Sequence, residues 1–139
     1  VVKRSHIVDL RFTDLRFTIE MTELELKSRL RLFSIRIIKM VDSMPSTISS
    51  IAIAKQIIRS GTSPSANYRA ACLAKSEKDF VNKLKMVEEE LDETCHWLDL
   101  IIACKILPEK RVTDLYNESN ELLKIISSSI LTMKQKLSE

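Results

Sequence analysis

The chain contains very little glycine and proline: one glycine and three prolines in 139 residues. Proteins rich in β-structure and nucleotide-binding α/β proteins need many glycines in their turns and loops, so this composition argues against both classes. With 45% hydrophobic residues, the chain is still able to bury a core at the size of a single domain. We therefore predict an all-α protein with few, short loops.

Long apolar runs are missing as well. The longest, LDLIIACKIL from Leu98, is interrupted by Asp99 and Lys105 and is shorter than the roughly 20 residues of a membrane-spanning helix. The N-terminal residues lack the apolar core and cleavage site of a signal peptide. We expect no membrane contact and a cytoplasmic protein.

The cysteines support a reducing compartment. Their number is odd and no CxxC pair is present, which favours reduced packing residues over a disulfide framework or a zinc site. They are Cys72, Cys95 and Cys104.

Residues 1–20 differ from the rest of the chain. They contain the perfect tandem repeat DLRFTDLRFT directly ahead of Met21. We predict that residues 1–20 are a tail outside the fold, from upstream or added sequence, and that residues 21–139 are the domain. Alternating apolar residues in the tail allow a strand, but a lone strand would have no partner.

Four helical segments can be placed after Met21. The first covers about residues 22–42, and the second follows a loop at residues 43–47 and runs to about residue 75. A capping-box pattern at Ser76 and Asp79 begins the third, and Pro108 suits the first turn of the fourth. Short loops between such long segments predict an antiparallel up-down-up-down four-helix bundle.

The second helix contains an unfavourable segment, RSGTSPSANYRAA, at residues 59–71. Gly61 costs a helix about 1 kcal/mol relative to alanine, and Pro64 costs about 3 kcal/mol. We expect the helix to be irregular between these two residues. The small side chains around them suit close helix packing, with Asn67 as a buried polar group, and direct ligand contact by Ser63 and Asn67 is the less favoured alternative.

The first helix is apolar on two sides. One stripe suits the bundle core and contains Leu26, Leu30, Phe33, Ile37 and Val41. A second apolar set lies on nearly the opposite face, which one core cannot bury as well, so we predict that this set forms a subunit interface. It consists of Leu24, Leu32, Ile35 and Ile38.

Candidate catalytic and metal-binding residues are few. Glu93 and His96 have the E-x-x-H spacing of di-iron bundles, but the only other histidine is His6, so a second motif is absent. The acidic run at residues 88–93 has no apolar surroundings that would raise a pKa, and it fits a solvated face or a partner for basic helices. No nucleophile has a credible base. We expect no enzyme activity, metal or cofactor.

Basic residues are concentrated in the first two helices. A rigid rod that presents guanidinium and ammonium groups suits phosphates, which predicts nucleic-acid binding. The alternative is ordinary solubilising charge or salt bridges to the acidic third helix. The candidate residues are Arg29, Arg36, Lys39, Lys55, Arg59 and Arg69.

The segments RLFSIRIIKMVDSMP and KQIIRSGTSPSANYRAACLAKSEKDFVNKLKMVEEELDETCHWLDLI resemble the bacterial four-helix bundle family of proteins encoded in intervening sequences of 23S rRNA genes. The resemblance runs from Met21 to the C-terminus. Many members share a signature like R-x-x-x-S-I-P-A-N-I-A-E-G followed by S-x-x-E-F. Here Arg59, Ser63, Ala66 and Asn67 match; the proline comes one place early at Pro64, and YRAA replaces I-A-E-G.

The resemblance implies a non-enzymatic bundle that assembles into a ring, typically a pentamer, and that associates with RNA. A related bundle, the accessory variability determinant of diversity-generating retroelements, works with a reverse transcriptase and RNA. We therefore expect a homo-oligomer that binds RNA, or alternatively an adaptor ring for a partner enzyme such as a reverse transcriptase or a neighbouring gene's product.

Overall fold

The computed structural model of the chain describes residues 7–11 and 18–138. These residues form two strands and four helices. The elements are β1 (Ile7–Arg11), β2 (Thr18–Thr22), α1 (Glu23–Asp42), α2 (Ile48–Cys72), α3 (Glu77–Ala103) and α4 (Glu109–Ser138).

The four helices form an all-α bundle, as predicted. Consecutive helices are joined by loops of four or five residues, which bring each helix back antiparallel to the one before it. α1 packs on α2, α2 on α3 and α3 on α4, and contacts between α1 and α4 close the bundle. The face made by α1 and α2 is therefore opposite the face made by α3 and α4.

Side-chain caps set where the helices begin. Thr22 Oγ1 accepts the Glu25 N–H at 3.1 Å while Glu25 Oε2 accepts the Thr22 N–H at 2.8 Å, a complete capping box. Before α3, Ser76 Oγ accepts the Asp79 N–H at 3.0 Å, which confirms half of the predicted capping box. The other half differs, because the Asp79 carboxylate accepts the N–H of Lys75.

The predicted apolar stripes form the core. On α1, Leu26, Leu30 and Ile37 are fully buried and Phe33 is 1% exposed. On α3, apolar residues at the same 3 and 4 residue spacing are buried too, namely Phe80, Leu84, Val87, Leu91, Cys95 and Leu98. One register detail differs, since Met40 is buried where Val41 was expected, and Val41 packs against the edge of the core.

α2 is helical without a break from Ile48 to Cys72, with Pro64 inside it. The irregularity that we expected between Gly61 and Pro64 does not interrupt the helix. It is confined to the one backbone hydrogen bond that proline cannot donate. Two neighbouring hydroxyls bond to carbonyls one turn back: Thr62 Oγ1 donates to Ile58 O at 2.6 Å, and Ser63 Oγ donates to Arg59 O at 2.6 Å.

The N-terminal residues differ from the expectation of a strand without a partner. β1 pairs antiparallel with β2, so that Ile7 lies opposite Thr22 and Arg11 opposite Thr18. β1 lies beside α4, and β2 leads directly into α1. The placement of residues 1–20 outside the domain stays a prediction, and residues 1–6 and 12–17 lie outside the described part of the chain.

Candidate nucleic-acid interface

Beyond the first turn of α1, the surface built by α1 and α2 is almost free of acidic residues. α2 contains none, and between Leu26 and Cys72 the single acid is Asp42. The same stretch contains eight basic residues, so its charge has one sign unless other helices neutralise it. They are Lys27, Arg29, Arg31, Arg36, Lys39, Lys55, Arg59 and Arg69.

Arg29 is neutralised by α4. Its Nε and Nη2 donate to the two carboxylate oxygens of Glu118 at 2.9 and 2.6 Å, and Nη2 lies 2.9 Å from Glu121. This bidentate bond to Glu118 is the largest cause that raises the pKa of Arg29, and it outweighs the opposing effect of burial. Arg29 therefore joins α1 to α4 and offers little charge to a polyanion.

The bonds from Arg29 to Glu118 and Glu121 predict that Arg29 stabilises the fold. Arg29→Met removes a two-point ion pair and leaves two carboxylates facing each other, so we expect it to lower the free energy of unfolding by about 1–3 kcal/mol. Lys27→Met is the matched control, because the Lys27–Glu23 contact is a longer pair at 3.6 Å within one helix and should cost about 0.3–0.5 kcal/mol. Urea denaturation followed by circular dichroism measures the free energy of unfolding of both variants. Equal losses in the two variants would contradict the conclusion that Arg29 joins α1 to α4.

Arg59 is neutralised by α3. Its Nη1 lies 2.9 Å from Glu90 Oε2, and its Nη2 donates to Glu93. Glu93 also accepts the indole N–H of Trp97 at 3.2 Å. Arg59 thus turns toward the acidic helix, which is the salt-bridge alternative considered for this residue, rather than lining a continuous basic stripe with Lys55 and Arg69.

Five of the eight basic residues form no ion pair within the described part of the chain. Arg36 is half-buried and the other four are exposed. Their charge is available to a partner. They are Arg31, Arg36, Lys39, Lys55 and Arg69.

Apolar side chains lie exposed among these cations. Leu24, Leu32 and Ile38 of α1 are 72%, 55% and 41% exposed, and Ile35 is half-buried. The second apolar face of α1 is therefore present on the surface. Its role as a subunit interface stays a prediction.

On α2, two exposed apolar residues that the sequence reading missed lie on either side of Lys55. Ile51 is 44% and Ile58 is 37% exposed, and both border an open groove of about 240 Å³ that Val41, Met44 and Lys55 also line. Their 4 and 3 residue spacing around Lys55 would have shown that the three share a helix face. The apolar surface of α1 therefore extends onto α2.

The signature segment of α2 packs against two helices. A Cβ atom built on Gly61 would lie 2.8 Å from both Cγ atoms of Ile37, so only glycine fits beside α1 here. On the α3 side, Thr94 Oγ1 donates to Ser60 Oγ at 3.0 Å. Close packing of this segment against the neighbouring helices is thus supported. The contacts are made by Gly61 and Ser60, rather than by Ser63 or Asn67.

The signature residues Ser63, Pro64, Ala66 and Asn67 differ in how far they are buried. Pro64 is buried, Ser63 and Asn67 are half-buried, and Ala66 is exposed. Asn67 is therefore half-buried in the bundle, where we expected a buried polar group.

The remaining candidates for chemistry do not form a centre. In residues 21–138, no group of three or more His, Cys, Asp or Glu side chains could hold a metal ion. His96 is exposed and meets the edge of the Trp97 ring. Burial raises the pKa of the Cys72 thiol to about 11, with Glu23 as the next cause, so this thiol is protonated at neutral pH.

None of the described helices is both long enough and apolar enough to span a bilayer.

The family model described as "23S rRNA-intervening sequence protein" matches residues 22–128. The chain belongs to this family. The matched range begins at Thr22, the N-cap of α1, and includes all of α1 to α3 and most of α4. The family match therefore covers most of the bundle that was predicted from Met21 onward.

A solved structure is similar to the chain. It is a 1.70 Å crystal structure of a protein with unknown function, from the S23 ribosomal protein family of Bacteroides thetaiotaomicron. The two share 34% sequence identity with a TM-score of 0.73, over 79% of this chain and 98% of the other. The chain matches no curated protein.

Proposed function

We propose that this protein is a non-catalytic, homo-oligomeric bundle that binds RNA in the cytoplasm. The observation that carries the proposal is the difference between two groups of cations on α1 and α2. Arg29 and Arg59 bond to acidic residues of α4 and α3, whereas Arg36, Lys39 and Arg69 have no ion pair in the described residues. Unpaired cations on a helical scaffold suit the phosphates of RNA.

The structure narrows the set of residues that we assign to RNA. Arg29 and Arg59 are engaged, and their release would expose partly buried carboxylates. Lys55 lines an apolar groove, which favours a role in protein contact. The RNA contacts that we propose are therefore Arg36, Lys39 and Arg69.

Oligomerisation would supply the affinity that one chain lacks. A formal net charge of +3 and three proposed RNA contacts support only weak binding by a single subunit. In a ring, such as the pentamer that the family resemblance implies, the same three residues recur in every subunit. An RNA molecule bound to one subunit is held at a high effective concentration near the next subunit. Contacts with several subunits therefore raise the overall affinity without any new kind of contact.

The test of the proposal is a charge reversal, Arg36→Glu, Lys39→Glu and Arg69→Glu together. We expect affinity for a labelled transfer RNA, measured by fluorescence anisotropy at low salt, to fall on the order of 100-fold or more, because each lost phosphate contact removes the counterion release that drives binding and each new carboxylate repels the RNA. The slope of log affinity against log salt should decrease by about 2–3.

A matched control is the reversal of three exposed lysines on α4, Lys110, Lys134 and Lys136. It changes the net charge by the same amount, and we expect a much smaller loss of affinity. Equal losses in the two variants would mean that net charge alone attracts RNA. Unchanged binding in the first variant would refute the proposal.

A second candidate function is an adaptor ring for a partner protein, such as a reverse transcriptase. The exposed apolar residues of α1 and α2 favour it, because apolar surface of this kind is typical of protein contacts. This function predicts a stable complex with a neighbouring gene's product that persists after nuclease treatment. It also predicts no salt-dependent binding of transfer RNA.

A further inference from the structure

One surface combines exposed apolar side chains with unpaired cations and lies on the outside of α1 and α2. Arg31, Ile35 and Ile38 follow each other at 4 and 3 residue spacing on α1, and Ile51, Lys55 and Ile58 do so on α2. Such spacing places each set on one side of its helix. We call this surface the α1–α2 face, defined by Arg31, Ile35, Ile38, Ile51, Lys55 and Ile58.

The opposite side of the bundle has the complementary charge. Glu88, Glu89 and Asp92 of α3 line an open groove of about 310 Å³ together with Leu123 and Ser127 of α4. We call this surface the α3–α4 face, defined by these five residues.

Much of the acidic charge on the α3–α4 face is uncompensated. Ser127 Oγ donates to one carboxylate oxygen of Glu88 at 2.6 Å. Glu89 and Asp92 are exposed and form no ion pair with any described residue. One turn beyond Ser127, Leu131 is 60% exposed, so apolar surface is present beside the acids.

We infer that the α1–α2 face of one copy docks on the α3–α4 face of the next copy, with Arg31 and Lys55 opposite Glu89 and Asp92. This inference rests on the homo-oligomer of the proposed function and specifies how its subunits meet. Exposed isoleucines would be buried in the contact, and the charges at its edge would select the partner surface.

Charge also argues against the symmetric alternative. If two α1–α2 faces met across a two-fold axis, Arg31 and Lys55 of both copies would be brought together with no acid from either face, and like charges in an interface cost several kcal/mol. A contact between two different faces is heterologous. Two copies joined in this way still have one free α1–α2 face and one free α3–α4 face. Further copies can therefore join at both ends until the last copy meets the first and closes a ring.

The docking leaves Arg36, one of the proposed RNA contacts, outside the interface centre. Arg36 follows Arg29 by two helical turns and so lies toward α4 rather than α2. Assembly through the α1–α2 face therefore buries the isoleucines while Arg36 stays accessible.

The decisive experiment uses two variants that each lose one face. Variant one is Arg31→Glu with Lys55→Glu, and variant two is Glu89→Lys with Asp92→Lys. In multi-angle light scattering after size exclusion, we expect each alone to have the mass of one chain. A mixture should reassemble into oligomers larger than a dimer in which the two variants alternate, because the two intact faces attract each other and so do the two charge-reversed faces. All four substitutions in one chain should restore the wild-type mass.

The outcomes separate this inference from the proposed function. A monomeric wild-type protein would refute the homo-oligomer itself. A wild-type oligomer with an undiminished second variant would refute only the docking arrangement, as would a mixture that stays monomeric. Circular dichroism of each variant verifies that loss of mass is not loss of fold.

A second measurement does not depend on the charge-reversed variants folding. Lys55→Cys and Glu89→Cys, combined in a chain that also carries Cys104→Ser, should form a ladder of disulfide-linked oligomers on oxidation. Each single variant should remain uncrosslinked. Covalent dimers of the Lys55→Cys variant alone would establish the symmetric contact and overturn the inference.

Discussion

Replacing Ile35 and Ile38 with Asp is expected to reduce the proposed homo-oligomer to single chains. Burying the exposed part of these two isoleucines contributes roughly 1–2 kcal/mol to each interface, and a carboxylate desolvated in their place costs several kcal/mol more, so each interface weakens by on the order of a hundredfold or more. Ile38 is 41% exposed and Ile35 half-buried in the isolated bundle, so helix content should be retained. Light scattering measures the mass and circular dichroism the helix content.

Met86→Asp is the control for this prediction. Met86 is 51% exposed on α3 and belongs to neither proposed face, so the same chemical change there should leave the mass unaltered. An Ile35→Asp, Ile38→Asp protein that keeps the wild-type mass would show that the outer face of α1 is not an interface. Dissociation by both variants would point to a general effect of added negative charge.

Gly61→Leu is expected to lower the stability of the bundle strongly, although leucine is the better helix former. Even a Cβ at this position lies 2.8 Å from two atoms of Ile37, a fully buried and β-branched side chain that has little room to move. Overpacking of this kind costs about 1–3 kcal/mol for a small group and more for leucine, which exceeds the gain of about 1 kcal/mol in helix propensity. We expect a fall of roughly 10 °C or more in Tm.

A double-mutant cycle identifies the cause. Ile37→Ala by itself should destabilise the protein by about 2–5 kcal/mol through the cavity it leaves. Gly61→Leu in that background should cost much less than in the wild type, because the clash is gone. Ala66→Leu, at an exposed position of the same helix, should leave Tm nearly unchanged. Additive losses at positions 37 and 61 would contradict the close-contact explanation.

Local patterns in the sequence predicted the helices and the core well. The stripe of Leu26, Leu30, Phe33 and Ile37 depends only on spacing along one helix, and all four residues are buried. The position of Ser76 before α3 follows from the chemistry of its hydroxyl. These predictions were correct because each depends only on residues within a few positions of one another.

The candidate site was predicted less well, since a charged residue's role depends on which helix packs beside it. Arg29 and Arg36 are two turns apart on α1 and read alike in the sequence. In the bundle, Arg29 meets Glu118, which is 89 residues away, while Arg36 has no ionic partner among the described residues. No spacing rule links residues at that distance.

The composition and periodicity of the chain by themselves determined an all-α bundle with an acid-poor basic half, because glycine scarcity and helical spacing act locally. Only the tertiary structure decided which cations remain unpaired, since ion pairs form across helices. It also decided that Gly61 is the point where α1 approaches α2, because the crowding atoms belong to Ile37 on another helix. The isoleucines of α1 and α2 became one surface for the same reason, through the packing of two helices side by side.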